Sequence, residues 1–86
     1  MVGKPIDLTT HAVLSLKKRG ASEAEVRAVI AETRWTAARD GRFEASKTFP
    51  YDRVWNGNPY RWKQVVPVFV EEPTRIVVIT VYVFYR

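Results

Sequence analysis

Apolar positions recur in two rhythms along this chain. In the first third they fall three and four residues apart, the spacing of a helix face. Ala12, Val13 and Leu16 form one such set, and Val26, Val29, Ile30 and Thr33 form a second. The spacing predicts helices over about residues 10–19 and 23–33. Local chemistry marks their ends. Thr9 or Thr10 can accept a hydrogen bond from a free N–H of the first turn. Lys17, Lys18 and Arg19 suit the negative end of the helix dipole, and Gly20 suits a left-handed residue just past it. Ser22-Glu23-Ala24-Glu25 reads as a capping box opening the second helix. Glu23 and Arg27 are spaced as an i, i+4 ion pair on its outer side. Two short helices with one apolar side each form an αα-hairpin, preceded by a short edge strand at Ile6 to Leu8.

From Trp35 the rhythm changes to strands and turns. Asp40-Gly41 is a hairpin signal. Arg42 to Phe49 alternates, and Pro50 is expected to stop it. Asn56-Gly57-Asn58-Pro59 is a second turn cluster. Tyr60 to Glu71 reads as a long strand with a bulge or an edge at Pro67. Glu72-Pro73-Thr74 is the last turn before the strongest strand, Arg75 to Tyr85. Helices first and a β meander over about residues 35–86 predict one α+β domain spanning 1–86. The helical hairpin should lie on one face of a three- to four-stranded antiparallel sheet.

A two-residue turn at Pro73-Thr74 places Glu72 opposite Arg75. In that register Val66, Val68 and Val70 share a face with Val77, Ile79, Val81 and Val83, and the helices should cover it. Arg61, Lys63, Val65, Phe69, Thr80, Tyr82, Phe84 and Arg86 should line the other face. A three-residue turn would mix the two sets.

Charge narrows the partners. The 86 residues carry a formal net charge of +5, spread through both the helical and the strand part. That favours an acidic partner: RNA, DNA, an acidic peptide or an anionic surface. With no cysteine there is neither a disulfide framework nor a thiolate metal site, and a single histidine makes a His-based site improbable. No apolar run approaches the ~20 residues of a membrane helix. Lys4, Pro5 and Asp7 interrupt any signal-peptide pattern. The expectation is a metal-free, cofactor-free, cytoplasmic protein of bacterial type.

The candidate chemistry gathers on the first helix. His11, Ser15 and Lys18 fall on one stripe, with Arg19 beside them. A neutral imidazole can act as a general base, and the planar guanidinium of Arg19 matches a phosphate. Against this stands the plainer reading of a structural histidine beside solvated helix-end cations. Arg61, Lys63, Tyr82 and Arg86 form a second set, with cations for a nucleic-acid backbone and an aromatic on which a base could stack. Ordinary outward decoration of a sheet is the competing reading. No Gly-rich phosphate loop is present, which argues against nucleotide hydrolysis.

The string His11-Ala12, then Arg19-Gly20 and the Ser22-Glu23-Ala24-Glu25-Val26 helix start, resembles a small family of uncharacterised bacterial proteins. That family opens with an H-A-x-x-R-x-x-x-R-G-I motif and ends in an apolar strand with T-V-Y. It is grouped with the RelE/ParE-like toxins of type II toxin–antitoxin systems, near the BrnT ribonuclease toxins. Trp55-Asn56-Gly57, Lys63-Gln64-Val65 and Thr80-Val81-Tyr82 are the later matches. Ser15 stands where the family has its first arginine, and Ala21 where it has isoleucine. The resemblance implies a RelE-like fold, an RNA-cleaving toxin and an acidic antitoxin partner. It implies catalytic roles for His11, as general acid or base, and for Arg19, Lys63 and Tyr82. Lys17, Lys18, Arg61 and Arg86 would then bind RNA. The alternative is a toxin-fold module that grips RNA or an acidic partner without chemistry.

Overall fold

The computed structural model describes residues 3–86. Its elements in chain order are β1 (Ile6–Leu8), α1 (Thr10–Arg19), α2 (Glu23–Glu32), β2 (Thr36–Ala37), β3 (Phe43–Glu44), β4 (Lys47–Trp55), β5 (Asn58–Glu71) and β6 (Ile76–Tyr85). A 3-10 turn at Arg39–Gly41 joins β2 to β3.

Both helices start and stop where their polar residues dictate. Thr9 caps α1, its Oγ1 accepting from the Ala12 N–H at 3.0 Å. Gly20 ends it at φ +81°. Ser22 and Glu25 exchange both bonds of the capping box, at 3.1 and 2.9 Å. The Glu23–Arg27 ion pair forms at 3.0 Å. Thr33, expected in the second helix, is instead its C-terminal cap.

The sheet is larger than the expected three to four antiparallel strands, and it is mixed. Six strands run in the order β1-β6-β5-β3-β2, with β4 also on β5. The extra strands are short pieces at the margins. β1 pairs parallel with the start of β6, Ile6 opposite Ile76. β2 and β3 form a two-residue-long hairpin around Asp40-Gly41. Pro50 does not stop β4, which runs on to Trp55 with a register shift between Pro50 and Arg53. The interruption falls earlier, at Ala45-Ser46, and Pro67 on β5 accounts for it. The Pro67 carbonyl accepts from Ala45 N–H at 3.3 Å, so its donor-less nitrogen faces the same neighbour. A strand continuing there would meet no N–H.

The β5–β6 hairpin has the expected turn but not the expected faces. Glu72 N–H donates to the Arg75 carbonyl at 2.8 Å, so the two-residue turn is present. Val70 then pairs with Val77 and Phe69 with Val78, but Val68 pairs with Thr80. Ile79 is the extra residue of a β-bulge, which reverses the pleat of β6. Val81 and Val83 therefore face the helices as expected, whereas Val66, Val70, Val77 and Ile79 are half-buried and outside the main core. In their place the core takes Val65, Phe69, Ile76 and Val78, which pack with Val81 against Ala12, Leu16, Val26, Val29 and Ile30. Trp35 and Phe43 close this core at one end around Phe69, with ring centroids 4.9 and 6.2 Å from it.

Candidate functional site

The candidate site is built on α1 and the strand beside it. Thr9 anchors its start to the bulge: the Thr9 N–H donates to the Val78 carbonyl at 3.1 Å, and its hydroxyl to the Ile79 carbonyl at 3.3 Å. The stripe predicted from spacing then lies along β6. Ser15, which is buried, places its Oγ 3.4 Å from His11 Nε2 and 3.4 Å from Thr80 Oγ1. Both contacts are long, and one hydroxyl proton serves only one of them at a time. One turn on, the Arg19 guanidinium donates to the Val81 carbonyl at 2.6 Å and lies 5.2 Å over the Tyr82 ring. One guanidinium nitrogen is thus engaged, and the remaining N–H groups of the fork are left for an anion.

The structure therefore gathers His11, Ser15, Arg19, Thr80 and Tyr82 into one surface cluster. His11 and Tyr82 are exposed and Arg19 is half-buried. Lys17 and Lys18 are exposed on the same helix end. Ser15 belongs to the stripe read from helical spacing, and Thr80 is added to it by the structure. The i, i+4 spacing of His11 and Ser15 signals the first, but nothing in the sequence signals the second, because its contact with Ser15 joins residues far apart in the chain.

Lys63 is not in this cluster. It belongs to the helix-facing side of β5, and its ammonium is held by Glu25 at 2.8 Å and by the Gly20 carbonyl at 3.1 Å. The expected open face of Arg61, Lys63, Tyr82 and Arg86 is thereby split, because the bulge sends Lys63 inward while Tyr82 stays outside. The side chain of Lys63 is 8% exposed and that of Glu25 is 23% exposed, so the pair is largely removed from water. Tyr85 finishes the same helix end by donating to the Arg19 carbonyl at 2.6 Å. Its phenol is pushed up to about 12, first by burial and then by Tyr51 and Glu25 nearby. Trp55 stacks on it at 5.1 Å. These groups lie so close that a Cβ on Gly20 would come 2.5 Å from the Tyr85 hydroxyl and 2.8 Å from Trp55. Lys63 and Tyr85 thus hold the last carbonyls of α1, and through them the position of Arg19.

The Arg61 N–H donates to the Arg86 carbonyl at 3.1 Å, but the two side chains have different partners. Arg61 is exposed, 4.0 Å from Asp52, and Arg86 donates to Gln64 Oε1 at 2.7 Å. A recess of about 380 Å³ is lined by Lys4, Ile30, Trp35 and Glu71 among others, and it shares no residue with the His11 cluster. The candidate site is an open surface rather than a cleft. Among the described residues no helix is long and apolar enough to cross a membrane.

Comparison with protein-family models, with curated proteins and with solved structures found no match.

Proposed function

We propose that this chain is a toxin-type RNA-cleaving module of RelE-like architecture, acting without a metal and held in check by an acidic antitoxin. The observation that supports the reading most is the placement of His11 and Arg19 on one side of α1, with Tyr82 beneath the guanidinium. His11 would take the proton of a ribose 2′-hydroxyl and return one to the leaving oxygen. The free N–H groups of Arg19 would meet the charge that develops on the phosphate. Tyr82 would stack a base, and Lys17 and Lys18 would draw in the backbone. Metal independence rests on the absence of cysteine and the single histidine.

The test is His11→Ala, assayed for RNA cleavage and for RNA binding, with circular dichroism to check the fold. Cleavage should fall about 10²–10⁴-fold, the usual contribution of a general acid or base. Binding should persist. Undiminished cleavage by a folded variant rejects the catalytic role.

A second reading, a non-catalytic binder of RNA or of the acidic partner, is favoured by Lys63. The resemblance implies a catalytic role for this cation, yet its ammonium is spent on Glu25 and Gly20. RNA binding by the wild-type protein with no cleavage at any pH would establish it.

A further inference from the structure

A β-strand leaves a row of backbone donors and acceptors along any edge that lacks a neighbour. β5 pairs with one edge of β6 along nearly its whole length, but β1 covers the other only from Ile76 to Val78. Beyond that point the chain turns at Thr9 into α1, which runs along β6 as far as Val81. Its end lies over the face of the sheet, where the Gly20 carbonyl accepts from Lys63 of β5 at 3.1 Å. Arg19 reaches back to occupy the Val81 carbonyl.

The ladder shows what remains. Trp62 and Arg86 exchange N–H to carbonyl bonds at 2.7 and 3.1 Å, so they are a hydrogen-bonded pair. Antiparallel alternation then turns the backbone groups of Tyr82 and Phe84 toward β5, and those of Val83 and Tyr85 outward. Among the described residues no strand or turn pairs with those outward groups. Arg19 guards the edge at Val81 and Tyr82, but no lysine or proline interrupts the strand from Val83 to Tyr85. Exposed aromatic side chains flank it on the open face, Tyr82 at 44% and Phe84 at 51%.

Charge selects the occupant. Neither α1 nor β6 contains an acidic residue, while Lys17, Lys18, Arg19 and Arg86 end the two elements. A second copy would bring these cations against their own kind. We infer that the free edge of β6 at Val83 and Tyr85 accepts an acidic, extended peptide segment as an added strand. Carboxylates of that segment meet Lys17, Lys18 and Arg19, and its alternate apolar side chains cover Tyr82 and Phe84. The inference deepens the acidic-partner part of the proposed function by naming the surface and the mode of pairing.

The probe is a synthetic peptide of alternating Val and Glu, titrated into the full chain without RNA, so the result does not depend on cleavage. A second peptide of the same sequence carries N-methyl groups on alternate amides, which keeps its charge and removes the main-chain donors along one edge. Amide hydrogen exchange is followed in parallel. The first peptide should bind and slow exchange at Val83 and Tyr85. The methylated one should bind about tenfold or more weakly, as expected when one or two main-chain hydrogen bonds are lost. Equal binding of both peptides, no binding of either, or protection at other strands alone overturns the inference. So does protection of Val83 that rises with protein concentration without peptide, since that identifies a second copy as the occupant. Loss of RNA cleavage in His11→Ala with peptide binding intact would separate this surface from the reaction.

Discussion

Lys63 shows how a single residue can change its meaning once its surroundings are known. In the sequence it is a cation in a strand, suited to an outward face. In the structure it is a buried ammonium at the C-terminal end of α1, meeting both a carboxylate and a backbone carbonyl. That position complements the negative end of the helix dipole. Removing only the cation leaves Glu25 and the Gly20 carbonyl short of a partner. Lys63→Ala should therefore cost about 3 kcal/mol, the low end of the range for breaking a buried pair because Glu25 keeps some water. Lys63→Met with Glu25→Leu should lose less than Lys63→Ala alone, since no charge is stranded. Urea denaturation of the set measures the difference. Equal losses in the two variants would show that the pair's charges do not matter to the fold.

At the scale of elements, the bulge in β6 decides which residues are core. From a regular two-residue hairpin, Ile79 should be central to the core and Val78 outside it. The extra residue reverses this, leaving Val78 fully buried and Ile79 half-buried where Thr9 meets the strand. Val78→Lys should therefore unfold the protein, because an unpaired buried charge costs several kcal/mol of the ~5–15 kcal/mol available to a domain. Ile79→Lys should leave a cooperative melt, with a loss of about 1–2 kcal/mol, in the ordinary range for a half-exposed site. Thermal melts of the two variants side by side would reveal the opposite order if β6 were regular. Thr80, the residue after the bulge, lies 3.4 Å from Ser15, so the bulge and the candidate site adjoin.

For the molecule as a whole, charge is the dominant long-range property. The +5 is distributed rather than placed in a tail, and the exposed cations Lys17 and Lys18 sit beside the His11 cluster. Binding to single-stranded RNA should weaken steeply with salt, with a log–log slope near −0.7 for each phosphate neutralised. Replacing both lysines by alanine should make that slope shallower by roughly 1.4 and weaken binding to all RNA sequences alike. A filter-binding titration over several salt concentrations checks this. A slope unchanged by the double substitution would place the RNA on some other surface. Lys63→Met, by contrast, should leave the slope as it is, because its ammonium is already neutralised by Glu25.

How much was legible follows the range of the interactions involved. Both helices, the Thr9 cap, the capping box at Ser22 and Glu25, the left-handed Gly20 and the Pro73-Thr74 turn rest on contacts within a few residues. The sequence by itself determined those, along with the stripe that sets His11, Ser15 and Arg19 on one side of α1. The parallel pairing of β1 with β6, the break between β3 and β4 opposite Pro67, and the bulge at Ile79 depend on residues far apart in the chain. A bulge of one residue leaves almost no mark on hydrophobic alternation in a run such as Val77-Val78-Ile79-Thr80-Val81, where apolar residues suit either face. Only the tertiary structure decided that Val78 is core, that Lys63 is buried and that Tyr82 stays outside. The reason is that pleat direction is set by pairing across the sheet, and not by the strand's own residues.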